Sequence, residues 1–229
     1  MKESRDFSCV KIINDHFNDL WSDLILINNC DEFKRSKFKR GIMFDFLQIG
    51  ELVNRLSDTF LNNFHNKNVK HVISIRNRIV HNYTNIDDEI IFNTLKKDLK
   101  KFIDDLSSFS REYYLSVLKT LLGKTTNVIV DRPINYNHND ITYELNYGYI
   151  KEMTALDGEL QDAYILDVKD PVDHIVGKII GIVHRLDDVE DKLLVVSKEI
   201  ALKSEEIKKL INFQEKYFKY ELILCSENV

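Results

Sequence analysis

The spacing of apolar residues changes once along this 229-residue chain, near residue 124. Before that point, apolar residues recur at the three- and four-residue spacing of amphipathic α-helices. After it come short segments rich in β-branched and aromatic residues, separated by Gly, Asp and Asn. The pattern therefore predicts an α+β protein with two domains. Residues 1–123 form an all-α helical bundle, and residues 124–229 form a small β-barrel with a C-terminal helix.

Four or five helices are predicted before residue 124. The first spans residues from about 8 to 28, and a second carries the apolar residues between Phe33 and Phe60. A third covers residues 68–83. A longer helical pattern begins near Asp87 and ends at Gly123.

Charge and cysteine content restrict the class of protein. The net charge is −5. It divides into +2 for residues 1–123 (19 Lys+Arg, 17 Asp+Glu) and −7 for residues 124–229 (13 and 20). Such asymmetry suggests two modules with different ligands. The three scattered cysteines predict neither a disulfide framework nor a thiolate zinc site. No signal peptide and no membrane-length apolar run are seen, so a cytoplasmic protein without a membrane partner is expected.

The segment of residues 76–83 places an arginine, an asparagine, a histidine and a tyrosine close together. Arg76 and His81 are five residues apart, about 140° around a regular helix, and would not share a face. Asn77 and Arg78 lie four and three residues before His81 and can touch it. Either the helix ends or deforms near Val80, or Arg76 faces a groove that a second copy of the chain completes.

The arrangement Arg-x4-His-x-Tyr, formed by Arg76, His81 and Tyr83, resembles the signature of the HEPN superfamily, most closely its HepT-like toxin branch. The resemblance covers roughly the first half of the chain and includes the helices on either side of the motif. It implies a helical bundle that forms a homodimer and cleaves RNA with no metal cofactor. The alternative is a structural one, in which the histidine is satisfied inside the protein and the arginine lies on the surface.

The resemblance also implies a role for each residue of the motif. The RNA 2′-OH attacks the adjacent phosphorus and leaves a 2′,3′-cyclic phosphate. His81 acts as general acid or base, and Arg76 stabilises charge on the phosphorane. Asn77 orients the imidazole or the phosphate, and Arg78 binds the substrate. In HepT-like toxins the tyrosine equivalent to Tyr83 is adenylylated by a partner antitoxin, so a nucleotidyltransferase is an expected partner.

Residues 34–40 contain five cations and one phenylalanine at the start of the second predicted helix. Such a cluster could steer RNA, because Lys and Arg near phosphates supply affinity that does not depend on sequence. It could equally be a solvated helix face.

Two acidic segments, residues 157–162 and 187–192, fall in turns between predicted strands. Clustered carboxylates without His or Cys suit hard divalent cations such as Mg²⁺. Two such ions could clamp a bridging phosphate and generate hydroxide. The alternative is that acidic loops only keep the surface soluble.

Residues 130–132, residues 146–149 and both acidic loops resemble the soluble family I inorganic pyrophosphatases, over most of residues 126–224. The resemblance implies an OB-like barrel, Mg²⁺ dependence and a ligand that contains a diphosphate, inorganic or nucleotide. The implied metal ligands are Asp157, Glu159, Asp162 and Asp187, and the second acid of the later loop is either Glu190 or Asp191. The residues implied to hold phosphate or support the site are Arg132, Tyr143, Tyr147, Lys192 and Tyr217.

The chain departs from the pyrophosphatase pattern at several positions. The early segment with acidic residues and lysine has no counterpart. Glu159 replaces the usual Asp, Leu160 replaces the usual Pro, and Phe218 stands where a phosphate-binding Lys would follow Tyr217. Loss of cations predicts weaker stabilisation of a diphosphate.

Three hypotheses follow. The leading one is a HEPN endoribonuclease, of toxin or defence type, fused to a pyrophosphatase-like module that regulates it or senses a nucleotide. The second is a Mg²⁺-dependent hydrolase of pyrophosphate or a nucleotide, with the helical half serving for dimerisation. In the third, which is non-enzymatic, both halves are degenerate binding modules, and the acidic barrel occupies or gates the RNA cleft as a built-in inhibitor.

Overall fold

A computed structural model describes residues 2–81, 87–139 and 141–225, and leaves the side chains of residues 2–4 and 81 undescribed. The chain divides into two compact units, of which the first is Lys2–Arg111 and the second begins at Glu112. The first is helical and the second contains a β-barrel, so the predicted α+β class is confirmed.

The described part of the chain before residue 124 forms α-helices and one π-helical segment. Their bounds are α1 (Lys2–Leu24), α2 (Cys30–Arg35), α3 (Lys39–Arg55), α4 (Asp58–Phe64), α5 (Asn68–His81), α6 (Asp88–Asn93), the π-helical segment (Thr94–Leu99) and α7 (Lys100–Lys119). The helical unit contains the first of these up to Arg111. The last turns of α7 belong to the second unit, whereas the predicted domain boundary lies at residues 123 and 124.

The single helix predicted across residues 33–60 is three helices. Ser36 adopts an extended conformation after α2, and Ser57 caps α4 by accepting the Phe60 N–H over 3.2 Å. Serine favours such caps because its hydroxyl satisfies a backbone donor that has no partner within the helix. Asp6 on α1, almost completely buried, accepts bonds from both the N–H and the hydroxyl of Ser57. This contact fixes one end of α3 to the start of α1.

The second unit contains a closed barrel followed by a helix and a further strand. Its elements are β1 (Thr125–Arg132), β2 (Asn137–His138), β3 (Ile141–Thr142), β4 (Asn146–Thr154), β5 (Leu160–Ile165), β6 (His174–Arg185), β7 (Lys192–Val196), α8 (Ser204–Glu215) and β8 (Tyr220–Leu224). The strand order β1-β4-β5-β7-β6 closes through pairing of β6 with β1, and β8 pairs with β6. Five strands in a closed ring are the architecture of OB-like barrels.

A bulge in β1 places Asp131 and Arg132 at a cavity of the barrel. The β1–β4 register shifts between Val130 and Arg132. Such a bulge adds an unpaired residue and turns the strand. On the partner strand, a Cβ atom at Gly148 would lie 1.9 Å from the Ile129 carbonyl oxygen. Glycine therefore permits the close approach of β4 that the bulge requires.

Tyrosines and α8 fill one side of the barrel. Tyr143, Tyr147 and Tyr164 pack with Ile207 and Ile211 in one buried cluster. The strand β8, which the sequence pattern did not reveal, follows α8 directly. Among the described helices, none combines the length and the apolar character that a membrane span requires.

Candidate functional site

Chemistry-bearing side chains gather in two places, one in each unit. In the helical unit, α5 presses Arg76 against α3. A Cβ atom at Gly50 would lie 2.6 Å from Arg76 Cβ and 2.7 Å from Arg76 Cγ, closer than non-bonded carbons approach each other. Only glycine leaves room for the arginine stem at this point. Since Arg76 faces α3 of its own chain, no second copy is needed to hold it in place.

The guanidinium of Arg76 is held by two oxygen acceptors. Nη2 donates to Glu51 Oε2 on α3, and Nη1 donates to Asn77 Oδ1 over 2.9 Å. The Arg76 and Glu51 side chains are 26% and 31% exposed, so solvent still reaches the pair. Arg76 Nε is buried and has no hydrogen-bond partner within the described chain. Because Glu51 fixes one edge of the guanidinium, Arg76 is positioned before any ligand arrives.

The remaining motif residues are only partly described. Asn77 and Arg78 are exposed on α5, and Asn77 accepts the bond from Arg76. The side chain of His81 and the whole of Tyr83 lie outside the described residues, and their predicted roles stay predictions. Glu51 was missed from sequence. It lies 25 residues from Arg76, and helical spacing gives no signal for a contact between separate helices.

In the barrel unit, most of the predicted phosphate and metal residues line one cavity of about 690 Å³. That volume lies within the range of small-molecule pockets. The predicted residues that line it are Arg132, Tyr143, Tyr147, Asp157, Glu159, Asp162, Glu190 and Lys192. Among the lining residues that were not predicted are Asp131, from the β1 bulge, and His138 and Asn139, from the β2–β3 hairpin.

Asp162 is the centre of the polar network in this cavity. Its Oδ2 accepts from both Lys192 Nζ and the Tyr147 hydroxyl, and Lys192 Nζ also donates to Glu190 Oε2 over 2.8 Å. The Lys192 side chain is only 2% exposed, so its charge depends on these carboxylates for compensation. Burial, with the neighbouring Asp162 charge, raises the pKa of Tyr147 well above its ordinary value. Tyr147 is therefore a hydrogen-bond donor to the network.

Arg132 is held against aromatic rings. Its Nη1 donates to the Tyr143 hydroxyl over 2.6 Å, and its guanidinium carbon lies 5.4 and 5.3 Å from the ring centres of Tyr143 and Tyr147. Cations in such positions are attracted by the ring quadrupole. Arg132 is thus fixed at the wall of the cavity with nitrogen donors left for a ligand.

The cavity carries an excess of negative charge. Five carboxylates face two cations, which leaves a formal charge of −3; they are Asp131, Asp157, Glu159, Asp162 and Glu190 against Arg132 and Lys192. Burial raises the pKa of Asp131 and of Asp157, and neighbouring carboxylates add to both effects. The donor types suit Mg²⁺. Their arrangement is not that of a formed metal centre, because no cluster of three possible ligands occurs among the described residues. Instead, Lys192 bridges Asp162 and Glu190.

Three predicted site residues do not line this cavity. Asp187 accepts from the Lys219 N–H over 3.0 Å, and Tyr217 is 64% exposed. Asp191 is buried, and it contacts His184 Nδ1 at 2.9 Å and accepts from the Arg185 N–H over 3.1 Å. The structure thus separates Asp187, Asp191 and Tyr217 from the predicted residues that line the cavity.

A second layer of contacts supports the acidic loops from behind. Gln161, buried on β5, donates to the Asp191 carbonyl over 2.7 Å and to the Asp162 carbonyl over 2.9 Å. Its side-chain oxygen accepts from the hydroxyl of Tyr114, on the last turns of α7. Burial, together with the charges of nearby aspartates, raises the pKa of Tyr114 well above its ordinary value. The end of α7 is therefore an integral support of the barrel's acidic side.

Arg185 fixes the second acidic loop to α8. It is 1% exposed and forms a two-pronged ion pair with Glu215, at 2.9 and 2.7 Å, while Nη1 donates to Asp188 over 2.8 Å. Its guanidinium carbon lies 3.6 Å from the centre of the Phe218 ring. Tyr164 donates a further bond to Glu215 over 2.5 Å. Phe218, expected as the replacement of a phosphate-binding lysine, thus stacks on a structural arginine.

Comparison with known families supports the first of the two resemblances directly. A family model described as "Ribonuclease HepT-like" matches residues 11–111. The match covers less than half of the 229-residue chain. The matched region contains α3 and α5, and therefore the whole contact between Glu51 and Arg76. A search of curated proteins found no match.

Solved structures similar to the C-terminal half are inorganic pyrophosphatases. The enzyme from Ehrlichia chaffeensis shares 18% identity with a TM-score of 0.39, over 47% of this chain and 90% of that one. The enzyme from Neisseria gonorrhoeae shares 22% identity with a TM-score of 0.35, over 42% and 74%. The enzyme from Helicobacter pylori shares 16% identity with a TM-score of 0.37, over 45% and 85%.

Proposed function

We propose that the chain is an endoribonuclease of the HEPN type that cleaves RNA without a metal in the cytoplasm. The observation that carries the proposal is the match of residues 11–111 to the HepT-like ribonuclease family. The position of Arg76 supports it, because Glu51 and Asn77 hold a guanidinium at the solvent-accessible junction of α3 and α5. Such a group can receive negative charge without reorganising.

In the proposed mechanism, the RNA 2′-OH attacks the adjacent phosphorus and expels the 5′-oxygen, which leaves a 2′,3′-cyclic phosphate. His81 transfers protons, since an imidazole ionises near neutral pH. Arg76 stabilises the negative charge on the phosphorane through its remaining N–H groups. Glu51 acts as a positioning residue, because it touches Arg76 rather than the substrate. Asn77 also holds Arg76, and Arg78, exposed on the same helix, binds the substrate.

The test is RNA cleavage by the full chain in EDTA. Wild type should cleave, and His81→Ala should lose at least about a hundredfold of the rate, as expected for a general acid or base. His71→Ala is the matched control, because it removes an exposed histidine from the same helix. Cleavage that requires a divalent metal and survives His81→Ala would reject the proposal.

The HepT-like family relationship also motivates two proposals about partners. The helical unit forms a homodimer, which analytical ultracentrifugation of the full chain would detect. Tyr83 is a site of adenylylation by an antitoxin nucleotidyltransferase. Incubation with such an enzyme and ATP should add one AMP to wild type and none to Tyr83→Phe, as measured by mass spectrometry. A monomer at all concentrations, or equal labelling of Tyr83→Phe, would refute the respective proposal.

For the barrel unit we propose a regulatory site for Mg²⁺ with a diphosphate-containing ligand. The acidic cavity supports it, with Asp157, Glu159, Asp162 and Glu190 as the available metal ligands. Bound Mg²⁺ would neutralise the carboxylates and attract phosphate oxygens. Arg132, fixed on its two tyrosines, would bind a terminal phosphate.

Calorimetric titration of the full chain with pyrophosphate tests this site. Binding should require Mg²⁺ and disappear in Asp162→Asn, while Glu199→Gln, which removes an exposed acid of the same unit, should bind as wild type does. Binding that is independent of Mg²⁺ would contradict the proposal. The second candidate function, hydrolysis, predicts Mg²⁺-dependent phosphate release that is lost in Asp162→Asn and persists in His81→Ala.

A further inference from the structure

Three side chains, those of Arg40, Phe44 and Glu51, lie along one face of α3, and Glu51 contacts Arg76. Glu51, which holds Arg76, lies seven residues after Phe44, and Phe44 lies four residues after Arg40. On a regular helix these three positions fall within an arc of about 40°. Phe44 is 56% exposed, although its ring centre lies 6.2 Å from that of His16 on α1, and Arg40 is exposed, so solvent reaches both side chains. The rise per residue places Phe44 about 10 Å and Arg40 about 16 Å from Glu51 along the helix axis.

The motif end of α5 lies toward the Arg40 end of α3. Asn66, just before α5, donates to Asp105 over 3.0 Å, and His71 lies 3.9 Å from Asp98. The later residue, His71, thus contacts an earlier position of the following helical segment, residue 98 instead of residue 105. The C-terminal end of α5 is therefore directed toward α6. Asp88, the first residue of α6, pairs with Lys39 at the start of α3 at 2.7 Å.

The cations near the start of α3 differ in whether an acidic side chain lies close to them. Lys39 is paired with Asp88, and Lys34 lies 3.8 Å from Asp31. Lys37 and Arg40 show no acidic partner within the described ranges. Lys37 Nζ lies 4.9 Å from the centre of the Phe38 ring. Arg40, with no acidic partner in the described ranges, therefore lies on this line beyond the exposed Phe44 ring, and Lys37 lies just before α3.

We propose that single-stranded RNA binds along this face of α3. Phe44 stacks on an unpaired base, and Arg40 and Lys37 contact phosphates on one side of the phosphate held at Arg76. Unpaired bases stack on aromatic side chains in many RNA-binding proteins, and cations that track the backbone supply affinity. This inference rests on the proposed ribonuclease function and adds the path of its substrate.

Fluorescence anisotropy with a labelled single-stranded RNA of mixed sequence tests the path. The full chain with His81→Ala serves as the uncleaving background. Phe44→Ala should weaken binding about fivefold or more, with the salt dependence unchanged, because stacking releases no counterions. Arg40→Gln should weaken binding and lower the slope of log K against log salt by about 0.7. Lys70→Gln is the matched control, since it removes an exposed cation at the opposite end of α5 and should leave both quantities unchanged.

The outcomes separate this inference from the proposed function. If the background protein binds RNA and the wild type cleaves it, yet Phe44→Ala and Arg40→Gln bind as the background does, the path is wrong and the ribonuclease stands. If the wild type neither binds nor cleaves RNA, the proposed ribonuclease function is itself rejected, and the RNA path with it. If Phe44→Ala instead shifts the sedimentation of the full chain toward monomer, this face is an interface between copies of the chain and the RNA path is overturned.

Discussion

Replacing Gly50 with alanine should disable RNA cleavage while leaving the helical unit folded. The added methyl group would meet Arg76 Cβ at 2.6 Å and Arg76 Cγ at 2.7 Å, so the arginine stem must move away from α3. Its guanidinium then loses the position that Glu51 and Asn77 define. A displacement of about 1 Å in a catalytic group can cost on the order of a hundredfold in rate. We expect a loss of that size in kcat/KM.

The expected change in stability is small because two effects oppose each other. Overpacking of this kind destabilises by about 1–3 kcal/mol. Alanine inside a helix gains about 0.8–1 kcal/mol over glycine. The free energy of unfolding should therefore fall by roughly 0–2 kcal/mol. A large loss of activity with this modest loss of stability is the signature of a displaced Arg76.

Both quantities can be measured on the full chain. Trp21, the single tryptophan, lies in the helical unit, so its fluorescence during urea denaturation reports on that unit. Gly41→Ala is the matched control on the same helix, because its nearest contact would be Asp23 Oδ2 at an ordinary 3.9 Å. It should gain up to about 1 kcal/mol and keep its activity. If Gly50→Ala cleaves RNA as fast as Gly41→Ala does, the contact between Arg76 and α3 has no role in catalysis.

Three further predictions concern the barrel unit. Lys192→Met removes the cation between Asp162 and Glu190, so Mg²⁺ should bind about tenfold tighter or more in calorimetric titration. Unchanged or weaker binding would contradict this prediction. Asp157→Asn should raise the melting temperature at neutral pH, because burial raises the pKa of Asp157 and its ionised form opposes folding. The gain should shrink as pH falls from the raised pKa to the ordinary carboxyl range, and a gain that stays constant in scanning calorimetry would exclude this explanation. Arg185→Met leaves the buried Glu215 without its cation and should cost about 3–5 kcal/mol. Combining it with Glu215→Leu should restore most of the melting temperature, and no recovery would show that the ion pair is not the cause.

The helical half shows which structural features the spacing of apolar residues can predict. The spacing of apolar residues located the helical region and the motif helix, whose observed start at Asn68 agrees with the prediction. It failed between residues 33 and 60, where two serines interrupt a pattern that remains amphipathic on both sides. No pattern in the sequence predicted the pairing of Arg76 with Glu51, because a contact between two helices depends on how they pack and on the glycine that lets them approach.

The barrel half shows a similar division. The acidic loops predicted a shared site, and the cavity brings together Asp157, Glu159, Asp162 and Glu190. Asp191, next in the chain to Glu190, points instead to His184. Neighbouring residues in a loop can face opposite ways, and only the path of the backbone decides which way each one faces.

The amino-acid sequence by itself determined the order of an α-helical and a β region, and it indicated which residue types each half offers for chemistry. These follow from local periodicity and from residue types at fixed spacing. Only the tertiary structure decided which groups are free and which are already engaged. Glu51 holds Arg76, Lys192 bridges two carboxylates of the acidic cavity, and Phe218 stacks on Arg185. Those contacts join segments that are distant in sequence, and around Lys192 and Arg185 carboxylates compensate the cations that the fold buries.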